Sequence, residues 1–334
     1  MRINIRLKKL VGLMLVVVMT SAMMLAGCGS SSSGASTGSA GGIKILYSGP
    51  PSDTFKQLLM DGLQEAAAEE GLTLDIGAPC ESVNDQVEQI KDAVSAGYNA
   101  IVCLPVDRAT ALQLEVVAGD LPIIYVNGVP EEQFLKANKY MAVSSYEYNA
   151  GEYQAEYVWN KLGKPSSINA VILRGELTHN AAIQRSLSVK NWLRENGVDV
   201  NIVFDDTANW SVDEAEYVFN IFLQTGQSFD AVFCNNDDMA LGAIKAMKAA
   251  GYDLNKIPVV GVDATTAGCE SIAKGEMQYT VYQSATGQAH MTVQVVKQII
   301  KTGKVEGLDG LTEDGLYVWV PFEPVDSSNV KDYM

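Results

Sequence analysis

Residues 234–263 read CNNDDMALGAIKAMKAAGYDLNKIPVVGVD, and their pattern fixes the class of fold. An apolar run, Ala231–Cys234, leads into four polar residues, Asn235, Asn236, Asp237 and Asp238. Met239, Leu241, Ile244 and Met247 then recur at helical spacing. A second apolar run, Pro258–Val262, stops on Asp263. Strand, helix and strand in that order put both strand ends on one edge of a parallel sheet. In open α/β sheets that edge is where ligands sit. At least one of the four polar residues is expected to cap the helix, with Asn235 and Asp238 the simplest choices. Capping does not account for Asp263, which closes a buried strand. Asn236 and Asp263 are therefore the first candidate binding pair.

The same alternation runs outward in both directions. Strands are expected at Ile43–Tyr47, Leu72–Ile76, Ala100–Cys103 and Ile123–Val126, separated by helices at Thr54–Glu70, Val83–Ala96 and Ala109–Ala118. It restarts with a helix at Asn149–Lys161, a strand at Ala170–Leu173, a helix at Ala181–Glu195, a strand at Asn201–Phe204 and a helix at Val212–Leu223. About 290 residues exceed what one core usually supports. The fold class is thus α/β, with two similar doubly wound parallel-sheet lobes. NAIVCLPVD (99–107) and DAVFCNNDD (230–238) echo one another as strand, cysteine and polar turn. Two such lobes facing each other leave a cleft between their sheet edges, a favoured place for small ligands.

The first nine residues carry Arg2, Arg6, Lys8 and Lys9 and no acid, and an apolar run from Leu10 to Leu25 follows. That is a secretory signal, too short for a membrane span. Leu25-Ala26-Gly27-Cys28 resembles a bacterial lipoprotein box, which makes Cys28 the expected lipidated residue after cleavage. Residues 29–42, GSSSSGASTGSAGG, form a flexible tether with a reach of roughly 20 Å. Loss of residues 1–27 removes four of the 24 Lys and Arg and none of the 40 acids, leaving 20 bases against 40 acids, a formal charge of −20. So acidic a body repels nucleic acid and anionic lipid. Of the remaining cysteines, Cys103 and Cys234 end apolar strands as buried thiols. Cys80 and Cys269 leave a disulfide open.

Other loops after strands supply further candidates. Asp53 in SGPPSDTFKQLL is placed to cap a helix, and Phe55 lies at the mouth of the same lobe. In RGELTHNAAIQR (174–185), His179 and Asn180 begin a helix, and Arg185 offers a rigid fork of donors for adjacent oxygens. In DDTANWS (205–211), Trp210 stands on a polar loop before a helix capped by Ser211. A sugar matches this set, because its C–H faces stack on aromatic rings while its hydroxyls call for Asp, Asn, Gln and Arg.

On NNDDMALGAIKAMKAAG, IPVVGVDA, RGE with His179 and Arg185, DTANW and VPFEPVDSSNV, residues 43–334 resemble a type I periplasmic sugar-binding protein of ABC importers. The likeness is to the galactose/glucose-binding proteins within the ribose-binding superfamily. The resemblance implies that Asp53 contacts sugar hydroxyls, that Phe55 and Trp210 sandwich the ring, and that His179, Arg185, Asn236, Asp263 and Gln283 supply hydrogen bonds. It also implies a multi-strand hinge with crossings near Asn127, near Gln283 and in the last strands, and Asn127 is a weaker ligand candidate. The helix at Gly287–Thr302 is then expected back on the first lobe. The implied organisation is a signal over 1–27, a lipidated tether over 28–42, one lobe from 43–127 with 284–312, and another from 128–283 with 313–334. Two positions depart from the pattern: Leu104 replaces a strand-end Asn, and Ala181 an acid. Both remove sugar hydrogen bonds from the cleft, which leaves galactose, glucose, a pentose, a deoxy sugar or another polyol open. The family's acidic calcium loop is missing from KLGKPSSINA, so no metal is expected, and no cofactor.

The implied function is capture of a monosaccharide and delivery to an ABC permease by a monomer, lipid-anchored on the extracytoplasmic face of the cell membrane. A sensory protein that presents its sugar to a membrane receptor or kinase would share the binding chemistry. Catalysis is disfavoured: no phosphate loop follows a strand, no GxSxG appears, and there are only two histidines. A sugar-responsive repressor would begin with a basic helix-turn-helix rather than an export signal.

Overall fold

The structure, a computed structural model, describes residues 42–334. The expected signal, Cys28 and nearly all of the expected tether lie outside the described residues. In chain order the first lobe contains β1 (Lys44–Ser48), α1 (Thr54–Glu69), β2 (Thr73–Ile76), α2 (Val83–Ser95), β3 (Ala100–Cys103), α3 (Ala111–Ala118), β4 (Ile123–Val126) and β5 (Tyr140–Ser144). The second contains α4 (Glu147–Lys161), β6 (Ser167–Arg174), α5 (Asn180–Glu195), β7 (Asp199–Thr207), α6 (Val212–Gln224), β8 (Ala231–Cys234), α7 (Asp237–Ala249), β9 (Val259–Val260), α8 (Thr266–Ala273) and β10 (Tyr279–Tyr282). The chain then forms α9 (Ala285–Thr302), β11 (Tyr317–Trp319) and β12 (Glu323–Asp326).

Two six-stranded sheets result, ordered β11-β5-β4-β3-β1-β2 and β12-β10-β9-β8-β6-β7. Every pairing is parallel except β10 with β12. Each sheet is buried on both faces, which is why its strands read as continuous apolar runs. In the first, α1 and α9 cover one face through Leu59, Leu63, Val293 and Val296, while α2 and α3 cover the other through Ile90 and Leu114. In the second, α4 and α5 pack on one side, with α6, α7 and α8 opposite. Each fully buried large aliphatic contributes about 1.5–3 kcal/mol.

The strand order reverses between β1 and β3 in the first sheet and between β6 and β8 in the second. Such switch points open a crevice at the carboxyl ends of the strands. The loops holding Asp53, His179 and Asn236 all start there.

The expected lobe boundaries need correction. Residues 128–144 were expected in the second lobe, but β5 pairs in parallel with β4 and so belongs to the first sheet. Strand β11, also expected in the second lobe, pairs with β5. The first crossing therefore follows Ser144 rather than Asn127. The other two lie between β10 and α9 and between β11 and β12. The physical reason is edge protection: β5 is buried at four of its five positions, and β11 covers its outer edge. The helix α9 does return to the first lobe. All four described cysteines are free and buried.

Candidate binding site

A small cavity lies between the two sheet edges. Its wall from the first lobe is Asp53, Phe55, Lys56 and Asn127. The second lobe contributes His179, Ala181, Arg185, Trp210, Asn236 and Asp263, and Gln283 stands at the second crossing. All nine ligand candidates from the sequence thus meet at one place. Three are also helix caps. Asp53 Oδ1 accepts from the Lys56 amide at 2.8 Å, His179 Nδ1 from the Ala181 amide at 3.2 Å, and Asn236 Oδ1 from the Met239 amide at 3.0 Å. The cap of α7 is therefore Asn236 rather than Asn235 or Asp238. Capping spends only one acceptor of each side chain and leaves further hydrogen-bonding capacity on each.

Arg185 is the best anchored member. Its Nε donates to Glu147 Oε2 at 2.6 Å, Nη1 to the Asn235 carbonyl at 2.6 Å, and Nη2 to Gln283 Oε1 at 3.2 Å. Gln283 Nε2 in turn donates to Glu147 Oε1 at 3.2 Å. Arg185 and Glu147 are 2% exposed each, so the pair is a buried one. Asp263 Oδ1 lies 4.0 Å from Arg185 Nη1. Burial pushes the Asp263 carboxyl well above the usual carboxylate range; Arg185 opposes this, while Asp237, Asp53 and Glu147 add to it. His179 moves the other way. Burial, then the nearby cations Lys56, Arg185 and Arg108, lower it to about 3. With Nδ1 accepting from the backbone, the neutral ring carries its proton on Nε2, a donor.

Trp210 lies edge-on to His179 at 5.3 Å between centroids. Its indole rests against Gly175, where a Cβ would come within 2.0 Å of the ring. The Trp210 carbonyl accepts from Asn236 Nδ2 at 3.3 Å, and the buried Trp210 Nε1 has no partner among the described residues. Backbone strain gathers at the same place: Asn127, Trp210 and Asp263 have φ of 61°, 65° and 115°. Such conformations cost about 1–3 kcal/mol each in a residue other than glycine and persist where surrounding contacts impose them. For Asp263 those contacts are its amide to the Val281 carbonyl at 2.8 Å and its own carbonyl to the Gln283 amide at 3.4 Å.

Lys56 and Glu147 escaped the sequence reading. Lys56 is 5% exposed, with Nζ 3.1 Å from Asp53 Oδ2 and 3.8 Å from Glu176 Oε1 of the other lobe. A lysine one residue after an aromatic gives no periodic signal. Glu147 carries none either, because it lies at the first residue of a helix. A second contact between the lobes joins Thr54 Oγ1 to Asp238 Oδ2 at 2.7 Å. Of the two departures, Ala181 does line the cavity, presenting a methyl where an acid was expected. Leu104 does not: its side chain is fully buried in the core of the first lobe, while its amide donates to the Ser48 carbonyl at 2.9 Å and its carbonyl accepts from Gln86 Nε2 at 2.9 Å. Asp237 is likewise structural. It ties α7 to α8 and β10 by accepting from the Thr265 amide at 2.8 Å and from Thr280 Oγ1 at 2.5 Å.

Residues 45–304 match the family model of the periplasmic binding protein domain. A protein of Rhizobium meliloti named for rhizopine binding is 31% identical over 285 residues, covering 84% of this chain and 89% of its own. The D-galactose/methyl-galactoside binding periplasmic protein of Haemophilus influenzae is 28% identical over 306 residues, covering 84% and 88%. Among solved structures, an ABC transporter solute binding protein from Bacillus halodurans with bound myo-inositol superposes with a TM-score of 0.79 at 30% identity, covering 89% of this chain and 99% of that one.

Proposed function

The chain belongs to the periplasmic binding protein family, and from that premise we propose that it captures a cyclic polyol of the inositol or hexose class and delivers it to an ABC importer. The observation that carries the reading is convergence. Two aromatic residues, two carboxylates, an arginine, a neutral histidine and amide side chains meet in one cavity between two lobes. Aromatic faces suit the C–H surface of a saturated ring, and the polar groups suit its hydroxyls. The bound myo-inositol of the Bacillus halodurans relative supports the cyclitol within this class.

The mechanism is reversible closure. Groups of both lobes bond to the ligand, and only the closed state makes both sets of contacts, so ligand shifts the population toward it. Thr54 with Asp238 and Lys56 with Glu176 add ligand-independent contacts across the mouth. Cys28, by its lipoprotein-type box, would anchor the body to the membrane face, and Cys28→Ser would release it into the medium.

Titration calorimetry with myo-inositol, D-galactose, D-ribose and xylitol tests the reading. One of these polyols should bind at unit stoichiometry, and Asp263→Ala should weaken it by about 2–5 kcal/mol, the scale for stranding buried polar partners. Unchanged affinity in that variant, or no heat with any of the panel, would overturn it.

A further inference from the structure

A second concave surface lies beside the hinge, lined from both lobes. Four aromatic rings run across it in a row: Tyr148, Tyr146, Trp319 and Tyr317, with successive centroids 6.4, 5.5 and 4.6 Å apart. Tyr146 and Tyr148 directly follow the first crossing, and Trp319 directly precedes the third. The row lines a groove of about 390 Å³ and continues into a neighbouring one of about 450 Å³ floored by Pro321 and Phe322. Tyr146 is 49% exposed and, as part of this contiguous row, belongs to an aromatic patch rather than standing as a lone surface ring.

Polar groups border the aromatic row as they do in the main cavity. Arg108 donates through Nε to the Val129 carbonyl at 3.1 Å, and it has no carboxylate partner among the described residues. Asn180 and Gln184 face it from the second lobe, with Glu132 and Asp314 on the first. Glu147 forms part of the same wall, and its two oxygens hold Arg185 and Gln283 of the main cavity. The two sites therefore share one buried carboxylate.

We propose that this groove is a second, weaker binding site for a polyhydroxylated ring, separate from the interlobe cavity and coupled to it. Stacking faces flanked by amides, a guanidinium and carboxylates are the recognition chemistry of such a ring. The groove is open, so it removes less of a ligand from water than the enclosed cavity does, and its affinity is lower. Because both lobes line it, occupancy biases the angle between them. Linkage then requires each site to change the affinity of the other by the same factor.

Fluorine NMR on protein labelled with 5-fluorotryptophan reads the two sites apart, since Trp210 and Trp319 each report one and the other two tryptophans, Trp159 and Trp192, serve as internal references. Titration with myo-inositol, D-galactose and xylitol should move the Trp319 resonance at concentrations about tenfold or more above those that move Trp210, a gap of about 1.4 kcal/mol. That response should persist in Asp263→Ala and vanish in Tyr146→Ala and Arg108→Ala. A Trp319 signal that stays still with all three polyols, or that moves only in step with Trp210 and not in Asp263→Ala, would overturn the proposal. A Trp319 response with Trp210 silent would uphold this site and refute the reading of the main cavity.

Discussion

Replacing Glu147 with Ala tests the electrostatic frame of the site. The change removes the acceptor of Arg185 Nε at 2.6 Å and of Gln283 Nε2 at 3.2 Å. The guanidinium stays buried, since its Nη1 and Nη2 remain tied to the Asn235 carbonyl and to Gln283. Stranding one member of a buried pair costs about 3–5 kcal/mol. Glu147→Gln keeps one acceptor but turns a donor toward a donor, and its cost is smaller, about 1–3 kcal/mol. Urea unfolding followed by tryptophan fluorescence and circular dichroism measures both. With a slope of about 3 kcal/mol per molar, Glu147→Ala should lower the midpoint by about 1 M or more. A double variant, Glu147→Leu with Arg185→Met, should recover part of the loss, because the ion pair is then removed rather than broken while the Asn235 carbonyl and the Gln283 amide still lose their partners. A midpoint within about 0.3 M of the wild type for Glu147→Ala, or a double variant as unstable as the two single losses added, would refute the reasoning.

His179 gives a pH-dependent prediction. Its folded pKa of about 3 lies below the ordinary value near 6.5, so between these limits the unfolded chain takes a proton that the folded one refuses. Its contribution is present above pH 6.5 and is lost as pH falls toward 3. The stability of wild type relative to His179→Asn should therefore fall by up to about 1.4 kcal/mol per pH unit in that window, and a constant difference would contradict it. Gly175→Ala drives a methyl into the Trp210 ring, which should destabilise the fold by about 1–3 kcal/mol and abolish polyol binding; calorimetry showing normal affinity would exclude the packing described. Thr54→Val removes the contact to Asp238 across the mouth and should weaken ligand binding by about 2–10-fold while leaving the urea midpoint unchanged.

The alternating pattern gave most strands and helices to within a few residues, because parallel strands buried on both faces are continuous apolar runs and amphipathic helices separate them. Two kinds of element escaped. Strand β5 lies after a long connection, and nothing in YMAVS tells which sheet it will join; the choice depends on the exposed edge of β4. The helix α8, TAGCESIA, is short and carries a single large aliphatic residue, Ile272, so no period stands out. At the site, strand-end positions such as Asn236 and Asp263 were legible because a polar residue closing an apolar run needs a reason. Lys56 and Glu147 were not, because their significance arises from partners far away in sequence. Leu104 misled for a related reason: a strand end marks a place at the sheet edge, but not whether the side chain turns to the cleft or to the core.

The late return of the chain to the first lobe has a bearing on assembly. The inner face of that lobe's sheet is sealed by Ala289, Val293 and Val296 of α9, and its outer strand is β11, all beyond residue 284. A chain emerging from its amino end completes the second lobe's central strands while the first still exposes an apolar face and an unpaired edge. The first lobe is thus begun first yet stays open until α9 and β11 arrive, with only β12 of the second sheet still to follow, and during that interval it is the part of the protein most in need of a chaperone.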